Sequence, residues 1–146
     1  MQSYKIIVPN SKEELEAYYR LRYEVLRKPW GQAENTNRDE WEEVSLHALM
    51  LDEHGRAVAT GRLQFNSPSQ GQIRSMAVDE ALRGSGLGTV MLKYLEEQAR
   101  EKKLFEIILD ARDHAADFYR KNGYEVIGDS YTLFGTIPHF RMRKKL

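Results

Sequence analysis

Cysteine is absent from the 146-residue chain. Its absence excludes a disulfide scaffold, a thiol nucleophile and a cysteine-ligated zinc, and fits a reducing, cytoplasmic location. Proline is scarce, with four residues at positions 9, 29, 68 and 138, each where a connection between elements falls. An excess of either charge is missing too, because 22 Lys and Arg balance 22 Asp and Glu. A nucleic-acid-binding domain would carry a basic surplus, so no nucleic-acid partner is expected. No apolar run approaches the roughly 18 residues that a spanning helix needs. Residues 1–10 lack the apolar centre of a secretory leader, and no membrane partner is expected. The four histidines show no His-Glu-x-x-His spacing, so no metal site is expected.

What is present describes a globular chain, 41% apolar or aromatic and 30% charged. Its length suits one domain over residues 1–146. Residues 4–8 are Ile- and Val-rich and read as a strand. Ser11 with Glu14 makes a capping box. Leu15, Tyr18, Tyr19, Arg22, Val25 and Leu26 then recur at helical spacing up to Pro29. Residues 30–44 read as a loop with room for one short helix. Strands are expected over 45–52, 56–65 and 72–78, the first two joined by a Glu53-His54-Gly55 turn. Leu87, Met91, Leu92, Leu95 and Ala99 form one stripe of a helix. Residues 105–109 are a near-continuous apolar run, as in a strand covered on both faces. Residues 114–121 read as a helix closed by Gly123, and residues 124–127 and 140–144 as the last strands. The order is β-α-(α)-β-β-β-α-β-α-β-β, an α/β fold.

The segment Arg83-Gly84-Ser85-Gly86-Leu87-Gly88 lies between a strand and a helix. Without Cβ atoms its backbone can approach a ligand closely, and the helix N-terminus adds partial positive charge. Together these make a phosphate cradle, to which Arg83 can add a side chain. A mononucleotide loop would need Gly-Lys-Ser/Thr, but Thr89 and Val90 follow Gly88. A dinucleotide fold would want Gly-x-Gly-x-x-Gly after its first strand. What remains is a pyrophosphate held by backbone without metal, or a turn that merely fits a tight connection.

These residues resemble a known family. The glycine segment is similar to the R/Q-x-x-G-x-G/A turn of the GNAT superfamily of acyl-CoA N-acyltransferases. Met76-Ala77-Val78-Asp79 looks like that family's preceding strand end. Ala115-Ala116-Asp117-Phe118-Tyr119-Arg120-Lys121-Asn122-Gly123-Tyr124 is similar to its A-x-x-F-Y-x-K-x-G-F segment. The family often carries Asn where this chain has Arg112. The resemblance implies a single-domain GNAT-type fold: a mixed, mostly antiparallel central sheet flanked by helices, with a parallel splayed strand pair at the cofactor site.

The resemblance further implies acetyl-CoA as cofactor and a direct, ternary-complex transfer of acetyl to a primary amine. The cofactor's arm would lie along Met76, Ala77 and Val78. Its pyrophosphate would meet the amides of Arg83, Gly84, Ser85, Gly86, Leu87 and Gly88, with Thr89 nearby, and Ala115 and Phe118 would pack beside it. Tyr119 matches the family's general acid. A phenol near pKa 10 stays protonated where a thiol near 8.5 leaves, so the chemistry agrees; the competing reading is a core aromatic. An amide freed near Met76 or Ala77 would serve a developing oxyanion, which predicts a bulge or splay there. Glu40, His47 and His139 are candidate bases, with His139 placed just before the last strand, where several members of the family form the acceptor pocket.

Other features have two readings each. Alternation puts Arg74 and Met76 on one face, either the acceptor side or an exposed charge pair. Asp39, Glu40, Glu42 and Glu43 could draw in a cationic amine or simply form a solvated face. Arg141, Arg143, Lys144 and Lys145 fit an edge strand protected against aggregation. The acceptor is a small-molecule or protein amine, and the chain a monomer or homodimer. A CoA-binding sensor without catalysis and a nucleotide-binding regulator are the alternative functions.

Overall fold

The computed structural model describes residues 3–146; Met1 and Gln2, part of the stretch searched for a leader, lie outside it. Strand β1 (Lys5–Ile7) leads into helix α1 (Lys12–Leu26). The helix starts where its capping box demands: the Glu14 amide donates to Ser11 Oγ at 3.1 Å, and the Ser11 amide donates back to Glu14 Oε1 at 3.1 Å. Three short 3-10 turns, Lys28–Trp30, Glu34–Asn37 and Glu42–Val44, occupy the loop that follows. Strands β2 (Leu46–Leu51), β3 (Ala57–Phe65) and β4 (Gln70–Val78) form an antiparallel meander. Helix α2 (Leu87–Glu101) connects β4 to β5 (Glu106–Arg112), and α3 (Ala116–Lys121) precedes β6 (Glu125–Leu133) and β7 (Ile137–Lys145).

The seven strands make one sheet in the order β1-β2-β3-β4-β5-β7-β6. Among the described residues only the β4–β5 pair is parallel; the other neighbours are antiparallel. Helix α2 buries Leu87, Met91, Leu92, Leu95 and Ala99 against Ala48, Leu63, Ile73, Ile107 and Met142 of the sheet. It lies so close that a Cβ on Gly61 would fall 2.7 Å from Leu95 Cδ1, which is why that strand carries glycine there. On the other face α1 packs Tyr18, whose hydroxyl meets His47 Nδ1 at 2.7 Å.

Two irregularities open the sheet. Parallel pairing runs only from Gln70↔Glu106 to Gln72↔Ile108, after which β4 and β5 part. Opposite β3, Thr60 pairs with Ala77 while Arg62 pairs with Arg74, so Gly61 faces both Ser75 and Met76. Ser75 adopts φ +55°, and Thr60 Oγ1 donates to its carbonyl at 2.9 Å. This is a bulge at the position where the sequence predicts one.

Three expectations need correction. Strand β7 is internal, between β5 and β6, so its basic residues are not an edge defence. Arg141 pairs with Asp110, Arg143 with Glu125, and Lys144 with the buried Glu96. Phe105 lies outside β5 and is exposed; the covered apolar run begins two residues later, at Ile107. The final hairpin is longer than residues 124–127 and 140–144 suggest, because β6 is the outer strand and mostly solvent-facing. Two register shifts around Gly128 and Asp129 hide its alternation.

Candidate active site

The parted strands bound a cleft of about 720 Å³. Met76, Ala77 and Val78 line it from β4, and Leu109, Asp110, Ala111 and Arg112 from β5. Arg83, Gly84, Gly86, Leu87, Gly88 and Thr89 close one end, and Ala115, Phe118 and Tyr119 form a wall. Arg27 from the end of α1, Tyr131 and Leu133 from β6, and His139 from β7 close the other. The singled-out cofactor residues other than Ser85 meet at this cleft with Tyr119 and His139, while the other two candidate bases, Glu40 and His47, lie outside its lining. The Ser85 hydroxyl instead donates to the Leu82 carbonyl and turns the chain toward α2.

At the glycine end, Gly84 and Gly86 hold φ +81° and +88°, a region that L side chains rarely enter. A Cβ on either would point into open space, so nothing in the fold fills the ground beside them. Gly88 differs: its missing Cβ leaves 3.3 Å to Phe118 Cζ and lets α3 close on the turn. No side chain caps α2 at Gly86, so its first amides keep their hydrogens for an outside acceptor. The turn thus fits a diphosphate, held by main chain and the helix field.

Tyr119 comes from α3, a six-residue helix fixed by the Phe118 and Tyr124 rings at 5.1 and 5.8 Å, both edge-to-face. Its side chain is 9% exposed and its hydroxyl has no hydrogen-bond partner among the described residues. Burial pushes the phenol up to about 12, against the pull of the nearby Arg112 cation. It keeps its proton throughout the neutral range and has that proton free to donate.

The three candidate bases separate. His139 is buried in the cleft, stacked on Tyr131 at 4.6 Å. Its Nδ1 lies 2.9 Å from the Ile137 carbonyl, which only accepts, so Nδ1 carries the hydrogen and neutral Nε2 carries a lone pair. Burial holds this imidazole below its ordinary value, with Arg112 pulling the same way against the Ile137 bond. His47 is spent structurally. Its Nε2 must donate to the Glu42 carbonyl at 2.6 Å, leaving Nδ1 to accept from Tyr18. Glu40 is exposed and outside the cleft lining.

Two members of the acidic run, Asp39 and Glu42, are taken up by arginines of the fold, while Glu40 and Glu43 are exposed. Arg62, fully buried, is held by Asp39 at 2.9 Å and by Glu42 at 2.5 Å. Arg22, also buried, binds Glu42 at 2.7 Å and the Asn37 carbonyl at 2.6 Å. Burial raises both carboxyls, but the arginine hydrogen bonds outweigh it and hold them below the carboxylate range. This network ties the loop to α1 and β3. Sequence reasoning missed it because Arg62 alternates with Thr60 and Gln64 on β3, a pattern that reads as an ordinary solvent-facing side, whereas all three are buried.

Sequence reasoning named Arg112 and Arg141 but not the partners they find at the far end. Arg112 donates to the Leu26 carbonyl at 3.1 Å and lies 5.8 Å over Trp30. Asp110 is taken up bidentately by Arg141 at 2.8 and 3.0 Å and accepts from Ser130 at 2.7 Å.

A mixed sheet that parts beside an uncapped glycine turn defines an acyltransferase-type architecture, and comparison with known proteins gives the family. Residues 14–124 match the model of the acetyltransferase (GNAT) family, and the chain belongs to it. The chain is 29% identical over 140 residues to the uncharacterized N-acetyltransferase YjcF of Bacillus subtilis (strain 168), covering 96% of this chain and 99% of that one. An acyl-CoA N-acyltransferase from Pseudomonas aeruginosa shares the fold with a TM-score of 0.79 at 24% identity, over 99% of both chains. An aminoglycoside 6'-N-acetyltransferase complexed with coenzyme A does so with a TM-score of 0.78 at 16% identity, over 98% of this chain and 96% of that one.

Proposed function

We propose that the protein is an acetyl-CoA-dependent N-acetyltransferase acting on a primary amine within a ternary complex. One observation carries this: a single cleft joins an uncapped, glycine-lined helix N-terminus to a buried, unpartnered tyrosine hydroxyl. Bound acetyl-CoA supplies acetyl as a thioester; its transfer to an amine forms C–N, breaks C–S and leaves a thiol.

The chain's residues then divide the work. The amides at Gly84, Gly86 and Gly88 hold the diphosphate, and the β5-facing edge of β4 past Gln72, which has no strand partner, pairs with the extended arm. Phe118 and Ala115 exclude water beside it. The bulge at Ser75 and Met76 redirects main-chain donors toward the reacting carbonyl. His139 Nε2 takes the proton released by the attacking amine, directly or through one water. Tyr119 Oη gives its proton to the departing sulfur. Near pKa 12 the phenol is a weak acid, yet a thiolate formed in a buried site is a strong enough base to take that proton.

Thiol release followed over a panel of primary amines, with acetyl-CoA, tests the reading. Tyr119→Phe is expected to lower kcat by about 100-fold with little change in the Kd of CoA. Undiminished turnover in that variant would remove Tyr119 from the reaction.

A further inference from the structure

Arginine dominates the end of the cleft away from the glycine turn. Arg27 just past α1, Arg74 of β4 and Arg112 of β5 line it, from three stretches far apart in sequence. Among the described residues none of the three has an ion pair, and Arg27 and Arg74 have no side-chain hydrogen bond at all. Arg27 lies over the Phe134 ring at 5.4 Å, and Arg112 over Trp30, so aromatic faces rather than carboxylates support them. The carboxylates within reach are already committed. Asp110 is the one acid in the lining, and Arg141 and Ser130 occupy it. Asp39 faces this end too, but Arg62 holds both its oxygens.

All three arginines are partly buried, and burial with mutual repulsion lowers the proton affinity of Arg27 and Arg112. Gathering like charges in a half-buried pocket without counter-ions costs stability. A fold that keeps such a gathering has an anion missing from it. Each planar guanidinium offers two parallel donors matched to a carboxylate or a phosphate. Arg83 of the glycine turn acts electrostatically on Arg112, but Arg27, Arg74 and Arg112 come from elements other than that turn, so the cleft has guanidinium groups to spare beyond those beside the turn.

Resting on the transfer reading above, we infer that the acceptor is an anionic amine: a small molecule carrying a carboxylate or phosphate that Arg27, Arg74 and Arg112 bind while its amine faces the reacting carbonyl. A polyamine or an aminoglycoside is excluded, since its further cations would meet three unpaired arginines. The same field favours the chemistry. Neighbouring cations destabilise an ammonium, so an amine anchored by its anion is held in its neutral, nucleophilic form.

The test compares matched acceptors with acetyl-CoA saturating: 2-aminoethyl phosphate against 2-aminoethanol, and β-alanine against its amide. The anionic member of each pair is expected to show kcat/KM about 10- to 100-fold higher. Arg74→Gln and Arg27→Gln should erase that preference through the acceptor KM while the KM for acetyl-CoA stays put. Equal or better rates with 2-aminoethanol or spermidine, or a preference that survives in the double variant, would overturn the inference. A second readout covers acceptors too unlike the natural one. The CoA-saturated protein, at matched ionic strength, should melt higher with inorganic phosphate than with chloride, and the double variant should lose that rise. CoA stabilisation without any phosphate effect overturns the anionic acceptor alone; no stabilisation by CoA removes the transfer reading and this inference with it.

Discussion

Two histidines with similar neighbours do different work because of which atoms face carbonyl oxygens. In His47 both ring nitrogens are engaged, so the ring is a bridge between β2 and the acidic loop. In His139 one carbonyl fixes the hydrogen on Nδ1 and leaves Nε2 open to the cleft. Since burial lowers the His139 imidazole, its neutral form persists to pH values below the ordinary imidazole range near 6.5. The acid limb of the kcat/KM profile is therefore expected below that value. His139→Asn should lower kcat/KM by about 100-fold and abolish that limb. The limb set by the amine's own ionisation should remain. An unchanged acid limb in the variant would assign the proton to another group. Sequence already picked out His139 by position, yet nothing in one dimension separates it from His47. That distinction rests on carbonyls five residues away in one case and two in the other.

At the scale of elements, the turn before α2 and the bulge in β4 are opposite uses of the left-handed region. Gly86, at φ +88°, has no Cβ and open space beside it. Gly86→Val should cost about 1 to 2 kcal/mol of stability and raise the Kd of CoA on the order of tenfold by standing between the amides and an anion. Isothermal titration and urea unfolding read the two effects separately. Ser75 holds φ +55° with a side chain in place, so the bulge is strained. Ser75→Gly is expected to raise stability by about 0.5 to 1 kcal/mol, the relieved strain less the added chain entropy, measured by urea unfolding. The turn was legible because glycines at fixed spacing between a strand and a helix have few other uses. The capping box was legible for the same reason: Ser11 and Glu14 act locally. Arg27, Arg74 and Arg112 were not legible as a group. Each sits in an ordinary place on its own element, and only the parting of β4 and β5 brings them to one end of a cleft.

For the whole molecule, acid is the expected weak point. Hydrogen bonds and charge from Arg62 on Asp39, and from Arg22 and then Arg62 on Glu42, outweigh burial and hold both carboxyls below their ordinary values, so folding gains stability from them above their unfolded values near 4. That gain is lost as pH falls through the lower, folded values. His47 is also lowered by burial, so its share is complete above about 6.5 and shrinks as pH falls through its folded value. The urea midpoint should decline first below about pH 6.5, then more steeply once the carboxylates protonate. Arg62→Met should cost about 3 to 5 kcal/mol, because Asp39 and Glu42 lose a fully buried partner, and should flatten the Asp39 share of the steeper decline, Glu42 keeping Arg22. A variant as stable as the parent would mean that the network is dispensable. The overall order of strands and helices was readable from periodicity, whereas this network was not: Arg62 and Glu42 stand 20 residues apart and meet only when the loop folds over β3.

The outer hairpin has its own consequence. Strands β6 and β7 run nine residues each, and their free tip carries Tyr131, Leu133 and Phe134 to the arginine end of the cleft. The glycine turn and α3 come from a different stretch of chain and share no residue with that tip. Replacements along the tip would therefore retune which nucleophile is welcomed while the grip on the donor stays as it is. A lineage built on this scaffold could change diets by editing one protruding ribbon.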